Sequence, residues 1–314
     1  MNNKKIVIAG GGVLGSQIAF QTAYCGYQVT IWSLSEDAKN VTIDKINKLK
    51  ETYIDTINKM DTPEGKTPAI WAQGIASFEE FNKEACLAKV ETAMKNISHE
   101  IDMKEAFKEA DIVVESIVEN LKIKCDFYKQ ISTILPAQTV VVSNSSTLLP
   151  SKMAASTGRP DKFLALHFAN SIWRNNTAEV MMHDKTSEES FNMIMEFAKS
   201  IKMYALPLRK EKNGYLLNSM LVPFLFAGLD LYVNGISDPE SIDIAWTRGT
   251  GAPHGPFRIL DTVGLRTAYN IVLMYVKVPS FLAPYNFKGM EKMLKKYIDE
   301  GKLGKETGEG FYKY

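Results

Sequence analysis

With 314 residues, 45% of them hydrophobic, the chain can fill one large core or two ordinary ones, and two domains is the expectation. Its 37 basic residues stand against 36 acidic ones, so no excess charge draws it to nucleic acid or an acidic membrane surface, and a small or neutral ligand fits better. The cysteines Cys25, Cys86 and Cys125 lie far apart with no CxxC pair, a pattern that predicts neither a disulfide framework nor a metal site and matches cytoplasmic usage.

The N-terminus, MNNKKIVIAGGG, turns glycine-rich after too short an apolar run for an export signal. Lys5 to Ala9 predicts a strand, and a helical pattern runs on to Cys25. Between them Gly10, Gly12 and Gly15 fulfil GxGxxG, the arrangement a dinucleotide site requires. Gly10 permits the tight turn, Gly12 lets backbone approach a pyrophosphate, and Gly15 lets helix pack on strand. Val13 and Leu14 open the helix, whose free amides then face the phosphates. Taken alone the motif is a glycine turn; its place between strand and helix favours the dinucleotide.

A second strand, Gln28 to Trp32, ends at Ser33, where NAD-binding chains usually carry an acidic residue. Serine can bond a ribose hydroxyl but does not repel a phosphate, so NADP is not excluded. With Glu36 and Asp37 following and no arginine nearby, NAD is the expectation. Glu36 to about Met60 is an amphipathic helix, with Val41, Ile43, Ile46, Leu49, Tyr53, Ile54 and Ile57 as its apolar positions. After a break from Thr62 to Pro68, a second helical region covers about Phe78 to Lys95. The pair reads as a surface helical excursion from the sheet or, alternatively, as a substrate-capping arm. A short strand near Asn96 to Glu100 and a helix from Met103 return the chain to the sheet.

Asp111 to Glu115 predicts a buried strand, and Ser116 to Lys124 leads into a helix to about Ile134. There Glu119 and Lys124 could hold a carboxamide or each other, although such a pair is more often solvated. Further strands fall at Thr139 to Ser143, Lys162 to His167, Ala178 to Met182 and Met203 to Leu208, with a helix over Ser187 to Lys202. Strands alternating with helices make an α/β, doubly wound, mostly parallel sheet. From Arg209 helical patterns dominate: about Asn213 to Val233, Pro239 to Arg248, Gly255 to Thr262, Leu265 to Val278 and Gly289 to Glu300. The apolar stretch Tyr215 to Val233 contains Asn218, Ser219, Pro223 and Asp230, which argues for a buried helix over a membrane span.

Sites of doubly wound sheets lie beyond the carboxyl ends of the strands. Ser143, Asn144, Ser145 and Ser146 follow one strand there, and His167 ends another. A histidine is suited to proton transfer at neutral pH, and Glu179 could hold its other nitrogen. Each member has a plainer reading, as a core histidine, a turn bonded to its own backbone and a glutamate on a wet face.

SNSST, LHFAN, the AEV glutamate, VESIVENLKIK, GPFRILDTVGL and GKLGKETGEGFYKY together resemble the L-3-hydroxyacyl-CoA dehydrogenase family over essentially the whole chain. NSSTLLPS, FLALHFAN and NNTAEV also look like a stand-alone branch that includes diketoreductases. The resemblance implies a Rossmann-type domain over residues 1–209, with its helical excursion at 36–95, followed by an all-helical dimerisation domain over 210–314. It implies NAD as cofactor, a homodimer, and a small acyl substrate, either a CoA thioester or a free keto acid. His167 matches the catalytic base, Glu179 its orienting partner, Ser146 the serine on the substrate oxygen, and Asn218 an asparagine completing the site from the helical domain. Asn170 matches the asparagine of HFxNP, while Glu119 and Lys124 match residues near the nicotinamide, and Asn144 is expected among the cofactor-binding residues.

Where the family usually has proline after that asparagine, this chain has Ser171, then Ile172, Trp173 and Arg174. Arg174 could pair with a substrate carboxylate, or be a surface arginine beside a packing Trp173. The expected activity is hydride transfer between 3-hydroxyacyl and 3-ketoacyl forms. A reductase of free keto or diketo acids is the alternative, and a catalytically silent nicotinamide-binding or structural protein the alternative of another class.

Overall fold

The computed structural model describes residues 4–67, 70–279 and 281–314, so the Pro68 end of the expected break and the first three residues weighed as an export signal lie outside the described residues. The chain divides into two compact units, Met1–Tyr215 and Leu216–Tyr314.

In the first unit β1 (Lys5–Ala9), α1 (Val13–Tyr24) and β2 (Gln28–Trp32) lead to the long α2 (Glu36–Met60) and α3 (Lys83–Asn96). Then come β3 (Ile97–Glu100), α4 (Met103–Phe107), β4 (Ile112–Glu115), α5 (Leu121–Ser132), β5 (Val140–Ser143), the single turn α6 (Ser151–Ala154) and β6 (Phe163–Phe168). β7 (Thr177–Met181), α7 (Glu188–Ser200) and β8 (Tyr204–Leu208) complete it. The strands form one sheet in the order β3-β2-β1-β4-β5-β6-β7-β8, reversing direction of growth between β1 and β4. All pairings are parallel except β6 with β7.

Alternate residues of the central strands feed two cores. Ile6, Ile8, Ile112, Val114 and Val142 pack on one side, and Val7, Ala9, Val113 and Val141 on the other. Burial on both faces is why these strands are continuous apolar runs.

The excursion is part of this core, since Tyr53, Ile57, Met60, Val90 and Ala93 join the larger cluster. Val41, expected in the apolar stripe, is exposed, and Thr42 turns inward instead, its hydroxyl reaching the Gly11 carbonyl at 3.3 Å. The second helix starts at Lys83 rather than near Phe78, because the Asn82 side chain caps it by accepting from the Ala85 amide at 2.8 Å.

His183, two residues past β7, is buried; its Nδ1 accepts from the Lys185 amide at 3.2 Å, and its Nε2 has no partner among the described residues. Burial pushes this imidazole below its ordinary range. A base with a depressed folded-state pKa contributes stability that is present above the unfolded value, about 6.5, and is lost as pH falls through the depressed one. Urea midpoints should therefore drop between about pH 7.5 and about pH 5, and drop less in His183→Gln. Equal drops in both proteins would refute the assignment.

The second unit comprises α8 (Leu217–Val233), α9 (Pro239–Thr250), α10 (Pro256–Val263), α11 (Leu265–Leu273) and α12 (Phe287–Asp299) around Leu225, Phe226, Leu229, Phe257, Leu260 and Leu294. Expected from Asn213, its first helix begins at Leu217 because Gly214 and Tyr215 take φ of +79° and +53°, outside helical space. Buried Asp261 pins the C-terminal tail by accepting from the Phe311 and Tyr312 amides at 2.8 and 2.9 Å. Among the described residues no helix is long and apolar enough to cross a membrane.

Candidate active site

The glycine turn sits at the carboxyl end of β1, where the sheet order reverses and ligands of such sheets bind. Gly10 has φ +102°, and a Cβ there would lie 2.7 Å from the Ser116 carbonyl oxygen. A Cβ on Gly15 would come within 2.0 Å of the Gly10 oxygen, so neither position accepts a side chain. At Gly12, the N-cap of α1, a Cβ would meet nothing within 4 Å. No side chain caps this helix, and Val13 is exposed. Open space in front of uncapped amides fits a pyrophosphate. Ser33 follows β2 but is buried, with its hydroxyl 3.5 Å from that of Thr42.

Across the sheet the antiparallel pairing of β6 with β7 sets Glu179 directly opposite His167, and opposed residues share one face. Glu179 Oε2 lies 2.9 Å from His167 Nδ1, and Ser146 Oγ lies 3.2 Å from Nε2. His167 is 6% and Glu179 2% exposed, whereas Ser146 is open to solvent. The imidazole is thus held at one nitrogen by a buried carboxylate and presents the other toward a hydroxyl. Such an arrangement can move a proton to and from a bound oxygen.

Asn144 stitches the strand ends together, its Oδ1 accepting from the Phe168 amide at 3.2 Å and its Nδ2 donating to Ser116 Oγ at 3.5 Å. Glu119 accepts from Ser145 Oγ and from the amide and hydroxyl of Thr147, the last two at 3.0 and 2.8 Å. Burial alone would raise its pKa, but these donors and Lys124 outweigh burial and hold it below the usual carboxylate range. Lys124 lies 3.4 Å from Glu119, yet its ammonium also bonds the fully buried Glu115 at the end of β4. In the sequence Glu115 stands only as the end of an apolar strand.

Asn170 and Arg174 are exposed, and among the described residues no carboxylate pairs with Arg174. Trp173 packs its ring 5.5 Å from that of Tyr53, and its carbonyl accepts from the Gly74 amide. Ser171 has φ +58° and donates its amide to Gln17 Oε1 at 2.8 Å. Proline fits neither feature, having φ fixed near −65° and no N–H. Ser171→Pro should therefore destabilise the unit by about 1–3 kcal/mol and Ser171→Gly by less, as read by urea unfolding. Asn218 stands on the first turn of α8, in the second unit. Among the described residues no cluster of His, Cys, Asp or Glu could hold a metal, and all three cysteines are free.

A reversing parallel sheet, a glycine turn at its switch point and an imidazole braced by a carboxylate occur together in nicotinamide-dependent oxidoreductases acting on CH–OH groups. Comparison with known proteins narrows this class. The model of the 3-hydroxyacyl-CoA dehydrogenase NAD binding domain matches residues 5–211 and that of the C-terminal domain residues 214–314, and the chain belongs to this family, with NAD as cofactor. It is 32% identical to the mitochondrial hydroxyacyl-coenzyme A dehydrogenase of Homo sapiens, covering 99% of this chain and 91% of that one. A probable 3-hydroxybutyryl-CoA dehydrogenase of Bacillus subtilis (strain 168) is 28% identical, covering 100% and 98%. A solved diketoreductase structure, described as acting on dicarbonyl compounds, is 43% identical over 100% of both chains with a TM-score of 0.83.

Proposed function

We propose that the chain interconverts a 3-hydroxyacyl and a 3-ketoacyl substrate with His167 as acid–base group. The observation that carries this is the placement of His167 between Glu179 and Ser146, at 2.9 and 3.2 Å. NAD, when bound, supplies the chemistry of hydride acceptance and, as NADH, of hydride donation. Gly10, Gly12 and Gly15 with the amides of Val13 and Leu14 would hold its phosphates, Ser33 its ribose, and Glu119 and Lys124 its nicotinamide side, with Asn144 also assigned to the cofactor.

The chain's own groups handle the proton. With Nδ1–H donated to Glu179, neutral His167 has a lone pair on Nε2 that takes the proton from a substrate hydroxyl. In the reverse direction protonated His167 delivers it to the carbonyl oxygen. Ser146 bonds that same oxygen, and Asn218 is assigned the remaining contact from the helical unit. Asn170 is assigned to substrate binding. A homodimer is also proposed, supported by apolar side chains exposed on the helical unit, among them Met220, Leu231, Ile244 and Trp246. Sedimentation should give twice the mass of one chain. The cytoplasm is the proposed compartment, on cysteine usage.

A second reading, reduction of free keto or diketo acids, is favoured by the Ser171 backbone, which departs from the proline-bearing loop of the family. Under it Arg174 meets the substrate carboxylate. NADH oxidation with acetoacetyl-CoA and with a panel of free 3-keto and diketo acids separates the readings. Turnover of the thioester alone supports the first, and turnover of the acids alone supports the second. No oxidation of NADH or NADPH with any of them would reject both in favour of a nicotinamide-binding protein without turnover. Equal acid and thioester rates in Arg174→Leu and the parent would remove Arg174 from the account.

A further inference from the structure

We propose that Tyr215 is a positioning residue that holds His167 and Ser146 in register, a role that rests on the acid–base reading above. Its ring stacks on the His167 imidazole, with centroids 4.4 Å apart and planes 17° from parallel. At the far end of the same side chain the hydroxyl donates to the Ser145 carbonyl at 2.6 Å. That carbonyl belongs to the peptide joining Ser145 to Ser146. One side chain therefore braces both partners of the 3.2 Å contact between Ser146 Oγ and His167 Nε2: the base through its ring, the serine through its hydroxyl.

Tyr215 is buried, and burial pushes its phenol well above the ordinary range, so the hydroxyl stays a donor. Its backbone takes φ +53°, a region that disfavours an aromatic residue. Strain of this kind persists only where surrounding contacts over-determine it, and it clusters at functional sites. The contacts here include the stack, the hydroxyl bond and packing against Ala165, Met181 and Leu208. Tyr215 is also the last residue of the first unit, three positions before Asn218 in the chain.

Two variants separate the two ends of the brace. Tyr215→Phe keeps the ring and should lower kcat about 3- to 10-fold, the worth of one hydrogen bond, with KM for NADH and acyl substrate within about twofold. Tyr215→Leu loses both contacts and should lower kcat about 30- to 100-fold. In a Ser146→Ala background the Tyr215→Phe effect should shrink to within about twofold, because the serine it places is gone. Losses that multiply independently, or unchanged kcat in folded Tyr215→Leu, would overturn the proposal.

A readout free of turnover is proton NMR of the His167 ring, assigned with His167→Gln. Ring current should shift its carbon-bound protons upfield in the parent and in Tyr215→Phe, and the shift should vanish in Tyr215→Leu. An unchanged shift in Tyr215→Leu overturns the stack even if no substrate is turned over, whereas a shift that is present in a parent without turnover and lost in Tyr215→Leu supports the brace and counts against the reaction alone.

Discussion

Replacing His167 by glutamine is expected to lower kcat roughly 100- to 10,000-fold with a 3-keto substrate, the range general acid–base groups contribute, while KM for NADH stays within about twofold. Glutamine keeps polarity and a donor toward the Glu179 carboxylate, so the packing of the β6–β7 pair is retained. It offers no group that takes or gives a proton near neutral pH. Glu179→Gln should fall between His167→Gln and the parent, because the imidazole remains but its Nδ1 loses the buried carboxylate 2.9 Å away that selects the tautomer. Ser146→Ala should cost less than His167→Gln, since a hydroxyl can be replaced by water whereas the base cannot. Stopped-flow oxidation of NADH, following the first turnover, keeps product release out of the comparison. Equal kcat in His167→Gln and the parent would remove the imidazole from the reaction.

The elements around this histidine were legible for identifiable reasons. Strands buried on both faces carry short apolar runs, as at residues 112–114 and 140–142, and they announce themselves against the charged periodic pattern of a helix such as α2. The glycine motif reads directly because sterics at Gly10 and Gly15 admit no other residue. Even the antiparallel turn of the sheet had a signal, since only residues 169–176 separate β6 from β7, too few for the crossover that parallel strands need. Positions set by tertiary contacts were silent. Tyr215 falls inside a run that looks helical, and nothing local announces its positive φ. Ser171 was visible as a departure from proline, but its bond to Gln17 joins residues more than 150 positions apart. Glu115 carries a clue of its own: an acid at the end of a strand buried on both faces requires partners.

Those partners set the largest expected effect on stability. Lys124→Met should lower the unfolding free energy by about 3–5 kcal/mol, the usual consequence of leaving one member of a buried ion pair alone. Glu115 is 0% and Lys124 1% exposed. Besides the ammonium, the carboxylate accepts from Tyr128 Oη at 2.6 Å, Ser143 Oγ at 2.8 Å and the Ile117 amide at 2.9 Å. Three neutral donors soften the loss but do not balance the charge. Removing both charges, in Glu115→Gln with Lys124→Met, should be milder than Lys124→Met alone, because the penalty of an unpaired buried carboxylate disappears with it. The amine also lies 3.4 Å from Glu119, whose other donors come from Ser145 and Thr147, the residues flanking Ser146. Losing Lys124 should therefore raise the Kd for NADH, measured by fluorescence on protein kept folded well below its urea midpoint. A single variant as stable as the parent, or a double variant less stable than the single one, would show that the pair does not hold β4, β5 and α5 together beneath the site.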